Sequence, residues 1–212
     1  MSDFIPSDRA VETDGKPKSI HHHLVLDASG SMETCYRATL EALNEQYVHL
    51  GQLAQEHPDI PVEVALNSFA NDVILHHDLI PAVELKPLTE QDYQLRGMTA
   101  LWDGMGDAID LMVAKLGEDV VERGGVACVM ILTDGYENAS VRHTSPGIRE
   151  RVERLRERGW DFRIIGAGIN PMEMAKEAGL ELDEIVAFEG DDDEGNIQDA
   201  MGYMGDYFRN CY

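Results

Sequence analysis

The stretch His22-His23-Leu24-Val25-Leu26-Asp27-Ala28-Ser29-Gly30-Ser31 decides the fold. Its first half contains the short apolar run Leu24-Val25-Leu26, as in a buried strand, and the run ends at an aspartate followed by small and hydroxyl-bearing residues. Behind it, apolar residues recur from Tyr36 to Ala54 at the spacing of one helix face. The stretch therefore predicts a buried strand that turns directly into a long helix over residues 33–56.

The same alternation of strand and helix continues to the end of the chain. Further strands are predicted over residues 62–69, 73–76, 126–132, 162–166 and 184–188. Helices are predicted from Leu101, over the segment that contains Ile148 and Leu155, from Pro171, and up to Cys211. The turn Ala70-Asn71-Asp72 is too short for a crossover, so residues 73–76 should form an antiparallel edge strand.

This order predicts a doubly wound α/β fold: a six-stranded, mostly parallel sheet with one antiparallel edge strand and helices on both faces. We expect a polar, flexible arm over residues 1–19 and one domain over residues 20–212. The N-terminus lacks a secretory signal and no long apolar run occurs, so we expect a cytoplasmic protein. Three widely spaced cysteines do not make a disulfide framework.

The formal net charge of the chain is −23. Such a charge repels phosphate backbones and anionic lipids, so neither nucleic acid nor a membrane is an expected partner. Cations and basic protein surfaces are favoured instead.

Two predicted strands end in an aspartate, Asp27 and Asp134, and parallel strands present such residues at the same sheet edge. Ser29 and Ser31, two residues apart on the turn after Asp27, can point the same way. These oxygen atoms are hard donors, which suits Mg²⁺, with Mn²⁺ or Ca²⁺ as substitutes. The alternative is that Asp27 and Ser31 only cap the following helix.

At this point the sequence resembles a known family. Asp27-Ala28-Ser29-Gly30-Ser31 resembles the metal-ion-dependent adhesion site of von Willebrand factor type A (vWA) domains, Gly97-Met98-Thr99-Ala100-Leu101 resembles its threonine loop, and Thr133-Asp134-Gly135-Tyr136-Glu137-Asn138 its aspartate loop. The resemblance implies a metal held by Asp27, Ser29, Ser31, Thr99 and Asp134. Ser29 and Ser31 would be direct ligands, while Asp27 and Asp134 would act mainly through metal-bound water. Met98 stands where the family often has a second glycine.

The resemblance also implies a function. The open metal position would take an Asp or Glu carboxylate from a protein partner, so we predict a non-enzymatic binding module. Similar bacterial, intracellular, single-domain proteins act with AAA-type ATPases or in stress-response and tellurium-resistance systems. Met98, Trp102 and Tyr136 are candidates for an apolar, partner-binding rim around the metal; packing under the loop is the alternative for Trp102.

Two other functions remain open on the sequence. A Mg²⁺-dependent phosphoryl-transfer enzyme of the haloacid-dehalogenase type would also carry an aspartate after a buried strand, but its second acid would stand where this chain has Ser29. A structural subunit of an oligomer, with a metal that only stabilises a loop, is the other alternative. No nucleophile elbow or dinucleotide motif occurs.

Three further polar features are interpreted as structural. His21-His22-His23 is a poor chelate because adjacent side chains on a strand face opposite ways, so we predict strand or edge packing. Asp103 is expected to cap a helix or to place a negative charge in its first turn, and the acidic run 191–194 to form a solvated turn.

Overall fold

A computed structural model describes residues 16–167, 169–188 and 193–211 of the chain, and six strands within them form one sheet. The strands are β1 Ser19–Asp27, β2 Val62–Phe69, β3 Val73–Pro81, β4 Gly125–Thr133, β5 Asp161–Ala167 and β6 Ile185–Phe188. Most of the predicted N-terminal arm, and residues 191 and 192 of the acidic run, lie outside the described residues.

Five α-helices in the described residues connect or follow these strands. They are α1 Tyr36–Glu56, α2 Leu101–Leu116, α3 Ser145–Glu157, α4 Pro171–Ala178 and α5 Asp193–Asn210. Short 3₁₀ turns cover Gly30–Thr34, Ala82–Glu84 and Leu182–Glu184. None of these helices is long and apolar enough to cross a lipid bilayer.

The strand order in the sheet is β3-β2-β1-β4-β5-β6. Only the β2–β3 pair is antiparallel, and the other neighbouring strands run parallel. The predicted mostly parallel sheet with one antiparallel edge strand is therefore confirmed. The chain winds outward from β1 to β2 in one direction and from β4 to β6 in the other, so the strand order reverses between β1 and β4.

Helices cover both faces of the sheet, as predicted. On one face α1 and α5 pack against alternate residues of the central strands, including Leu24 and Met130. On the other face α2, α3 and α4 pack against the intervening residues, including Val25 and Val129. Because both faces are covered, β1 and β4 are buried along nearly their whole length, which explains the apolar runs Leu24–Leu26 in β1 and Val126–Leu132 in β4.

The element boundaries differ most from the prediction at two places. Strand β3 continues five residues beyond His76, to Pro81, and its pairing with β2 shifts register twice on the way. Two consecutive polar residues, His77 and Asp78, interrupt the strand before Leu79, so the alternation of apolar and polar residues that marks a strand is absent there. The predicted first helix is divided into the 3₁₀ turn Gly30–Thr34 and α1, which begins at Tyr36.

The histidine tract lies inside the central strand β1, so strand packing is correct and an edge position is wrong. His23 Nε2 donates to Asn67 Oδ1 over 2.9 Å. His22 faces the opposite layer, where its ring centroid lies 4.5 Å from that of Phe208. Burial lowers the pKa of His22 to about 3 and that of His23 to about 4, so both rings are neutral at physiological pH.

Candidate metal centre

The predicted site lies at the carboxyl edge of the sheet, where the strand order reverses. Asp27 is the last residue of β1 and Thr133 the last residue of the neighbouring parallel strand β4. Asp134 follows directly. In doubly wound sheets this edge is the usual place for a ligand, because the connections on its two sides diverge and leave a crevice.

Asp27 is fully buried, with 0% of its surface exposed. Its Oδ2 accepts a 2.6 Å hydrogen bond from Thr133 Oγ1, and its Oδ1 accepts a 2.8 Å bond from the Ser29 amide. Burial raises the pKa of the Asp27 carboxyl, the nearby charge of Asp134 adds to this, and the hydrogen bonds from Thr133 and Ser29 oppose it. The carboxylate is thus held in one orientation but is costly to ionise without a nearby cation.

The hydroxyls of the first loop connect Asp27 to Asp134. Ser29 Oγ lies 2.9 Å from Ser31 Oγ, and Ser31 Oγ donates a 2.6 Å hydrogen bond to Asp134 Oδ1. Either serine hydroxyl can donate in the contact between the two serines. The structure thus places Asp27, Ser29, Ser31 and Asp134 in one hydrogen-bonded chain.

Thr99 joins this group from the loop before α2. A β-carbon added to Gly135 would lie 3.7 Å from Thr99 Oγ1 and 3.8 Å from Ser31 Oγ, so the two hydroxyls flank the same small space. Thr99 itself is buried. Side chains from three loops therefore meet at one point of the sheet edge.

This donor set fits a hard divalent cation. It consists of two carboxylates and three hydroxyls, all oxygen, without sulfur or imidazole. Within the described part of the chain no Lys or Arg forms an ion pair with Asp27. A cation between Asp27 and Asp134 would remove their mutual repulsion and would favour the ionised form of the buried carboxyl.

Four polar residues that are not among the predicted metal ligands hold the loops of the site in place. Besides Thr133, they are Glu137, Asn138 and Ser140, which lie on the loop after Asp134. Glu137 Oε2 accepts a 3.1 Å bond from the Trp102 amide, and Ser140 Oγ a 3.1 Å bond from the Asp103 amide. The first turn of α2 thereby obtains the caps that Ala100, its own N-cap residue, cannot supply.

Asp103 lies in the first turn of α2, which confirms one of its two predicted positions, and its carboxylate also binds the loop after β4. Its carboxylate accepts hydrogen bonds from the amides of Val141, Arg142 and His143, at 3.1, 3.0 and 2.8 Å. These bonds lower the pKa of Asp103 against the effect of its burial, so it stays charged. Asp103 thus fastens the loop after β4 onto α2 and contributes no metal ligand.

The three rim candidates divide into exposed and buried side chains. Met98 is 54% exposed and Tyr136 41% exposed, whereas Trp102 is only 4% exposed and packs in the core between α2 and the sheet. Assigning Trp102 to the rim is therefore wrong, because the first turn of α2 points this indole at the sheet. Tyr136 is held by its hydroxyl, which accepts a 2.7 Å bond from the Asn170 amide.

One other group of metal-ligating side chains occurs among the described residues. Atoms of Asp107, Asp110 and His143 lie within 4.8 Å of one another. The guanidinium of Arg142 donates hydrogen bonds to both carboxylate oxygens of Asp107, at 2.6 and 2.8 Å, and Arg151 donates one to Asp110. Since arginines already neutralise both carboxylates, we interpret this group as an ion-pair network between α2 and α3.

Solved structures with the same arrangement of strands and helices were found. A vWA protein from Catenulispora acidiphila superposes with a TM-score of 0.56 at 15% identity, over 89% of this chain and 42% of its own. The VWA domain of SpRpn10 gives 0.56 at 12% identity, over 86% of this chain and 94% of its own.

The chain has the von Willebrand factor type A fold.

A third vWA neighbour is proximal thread matrix protein 1 from the mussel byssus, with a TM-score of 0.55 at 16% identity, over 89% of this chain and 47% of its own. The chain therefore spans about half the length of this neighbour. Another structure of the mussel protein is described as having a zinc-occupied MIDAS motif, the abbreviation for the metal-ion-dependent adhesion site. No protein-family profile matches the sequence, and no curated protein matches it either.

Proposed function

We propose that this vWA domain is a non-enzymatic, metal-dependent protein-binding module. Asp27, Ser29, Ser31, Thr99 and Asp134 hold Mg²⁺, and the metal captures a partner's Asp or Glu carboxylate. The observation that carries the proposal is the continuous hydrogen-bonded chain from the buried Asp27 through both serines to Asp134, with Thr99 beside it.

The charges of the ligands support an open metal position. Two carboxylates balance one divalent cation, and the three hydroxyls add no further charge. Mg²⁺ held by few anionic ligands keeps water molecules and tolerates the exchange of one of them. An outside carboxylate is a stronger ligand than water, so binding an acidic side chain is the chemistry that this arrangement favours.

The residue two positions after Asp27, at the strand-to-helix turn, argues against phosphoryl transfer. A general acid would be needed there to protonate a leaving group. Ser29 occupies this position, and its hydroxyl is engaged with Ser31. These residues therefore favour binding of a partner's carboxylate over a phosphoryl-transfer reaction.

The surroundings of the metal define the partner further. Met98 and Tyr136 offer exposed apolar surface beside Thr99 and Asp134. The net charge of −23 repels an acidic partner everywhere except at the metal. The expected partner segment therefore carries one acidic residue next to an apolar residue, within an otherwise neutral or basic surface.

The test is capture of a partner in the presence and absence of a chelator. The immobilised domain, in buffer with Mg²⁺, should retain a partner from the native cell extract and release it on addition of excess EDTA. An Asp27→Asn domain should retain none, and replacement of the partner's contacting acid by alanine should abolish retention. A complex that persists in excess chelator would reject metal-bridged capture.

The same experiment tests which kind of partner the domain binds. The family resemblance extends it to a cytoplasmic adaptor of an AAA-type ATPase or of a stress-response or tellurium-resistance system. Identification of the retained protein by mass spectrometry tests that extension directly, because an ATPase or a resistance protein should be released with EDTA.

A further inference from the structure

The hydroxyl of Thr99 lies beside that of Ser31, on the loop before α2. Its position depends on the conformation of the Thr99 main chain. The segment from Gly97 to Ala100 has no regular structure, and Gly97 adopts a left-handed φ of 65°. A β-branched side chain has few χ1 rotamers, so fixing the backbone of Thr99 also fixes the direction of its hydroxyl.

Asn138 binds both polar groups of the Thr99 backbone. The Thr99 amide donates a 2.8 Å hydrogen bond to Asn138 Oδ1, and the Asn138 amide donates a 2.9 Å bond to the Thr99 carbonyl. Asn138 lies on the loop that carries Asp134. One residue thus ties the two loops of the site together at the position of the ligand itself.

We propose that Asn138 is a positioning residue that sets the Thr99 hydroxyl at the metal; this inference rests on the proposed metal site. Residues that orient ligands from outside the coordination sphere typically change metal affinity by about 10- to 100-fold when they are removed. The Asn138 side chain is exposed, so its truncation leaves no cavity in the core. Its effect on the metal therefore acts through the Thr99 backbone.

The chain provides a matched control. Asn44 holds the backbone of Leu88 in a similar way: its Nδ2 donates a 3.0 Å bond to the Leu88 carbonyl, and its Oδ1 accepts a 2.8 Å bond from the Leu88 amide. This clamp lies on α1 and does not contact any of the five proposed ligands. Asn44→Ala therefore removes an asparagine–backbone clamp without touching the Thr99 loop.

The experiment is calorimetric titration of the metal-free protein with Mg²⁺ and, separately, Mn²⁺. Asn138→Ala should weaken metal binding by about 10- to 100-fold, since the Thr99 amide loses its acceptor. Asn138→Asp keeps an acceptor at the same position and should bind at least as tightly as wild type. Asn44→Ala should lower the melting temperature but keep the wild-type affinity.

Two further outcomes separate this inference from the proposed function. If Asp27→Asn abolishes binding while Asn138→Ala binds as wild type, the positioning role is wrong and the metal site stands. If Asp27→Asn itself binds Mg²⁺ as wild type does, the metal site is wrong. Equal weakening in Asn138→Ala and Asn44→Ala would show a general loss of stability and would also overturn the positioning role.

Discussion

Asp27→Asn is the variant that most directly separates the metal site from the fold. Asparagine keeps the shape of the side chain and an acceptor for the Ser29 amide, which donates to Asp27 Oδ1 over 2.8 Å. The new amide group would face Thr133 Oγ1, whose hydroxyl has a second acceptor in the Gly135 carbonyl at 3.2 Å. The substitution therefore removes a buried charge with little loss of hydrogen bonding.

Without metal, the variant should be more stable than wild type at neutral pH. Burial and the charge of Asp134 raise the pKa of Asp27 in the folded protein, so the folded state binds a proton more readily than the unfolded chain does. The free energy of unfolding of wild type therefore falls as pH rises from about 4, the unfolded value, through the raised pKa. The variant has no such decrease, so the difference in free energy of unfolding between variant and wild type should vanish at acidic pH.

With Mg²⁺ the order should reverse. At a free Mg²⁺ concentration about 100 times the dissociation constant, binding stabilises the folded state by about 2.7 kcal/mol. For a domain of 150–250 residues, each kcal/mol moves the melting temperature by about 2–4 °C. Wild type, with 212 residues, should therefore gain about 5–10 °C, and Asp27→Asn less than about 1 °C.

Differential scanning calorimetry in EDTA and in Mg²⁺, from pH 4 to pH 8, measures both effects. Asp78→Asn serves as control, because Asp78 pairs with Lys115 on the surface and is half exposed. It should show the wild-type metal shift. A full Mg²⁺ shift in Asp27→Asn would refute the ligand assignment, and a metal-free stability difference that does not change with pH would refute the electrostatic reasoning.

Two further predictions concern the supporting structure. His22→Leu should protect the protein against acid, because the free energy of unfolding of wild type decreases as pH falls from 6.5 toward the folded pKa of about 3. At pH 4.5 this decrease amounts to about 3 kcal/mol, and the variant should lack it. Urea unfolding at pH 4.5 and pH 7.5 would measure the difference. An equal response of both proteins to pH would contradict this. Gly97→Ala should destabilise by about 1–2 kcal/mol and weaken Mg²⁺ binding, since φ is 65° and the new β-carbon would lie 2.5 Å from the Asn71 side chain. Gly202→Ala is its control, because a β-carbon there meets nothing within 4 Å; urea unfolding and calorimetric titration compare the two, and a harmless Gly97→Ala would refute the argument.

The strands that carry the site could be predicted because both of their faces are buried. The apolar runs before Asp27 and before Asp134 reflect this directly. Strand β3 was predicted too short, because the edge residues His76, His77 and Asp78 give no alternation of apolar and polar side chains. Burial determines which strands can be recognised from the sequence.

The sequence predicts the residues of the candidate site only where they belong to a recognisable motif. The tasks of Thr133 and Asn138 depend on distances between loops far apart in the chain, and local sequence does not contain those distances. The burial of Trp102 depends on which side of α2 meets the sheet at its first turn. The periodicity of the helix does not settle this, because a tryptophan at a helix start suits either the interior or an exposed rim.

The bond between Thr133 and Asp27 joins residues 106 positions apart in the chain. It forms only when β1 and β4 are paired in the correct register, since a slip by one residue would turn the Asp27 carboxylate to the opposite face. A cation that binds at this site therefore binds fully folded molecules and does not bind partly folded ones. Metal-dependent retention would thus work as a quality test during purification, separating correctly paired sheets from misfolded material of identical sequence.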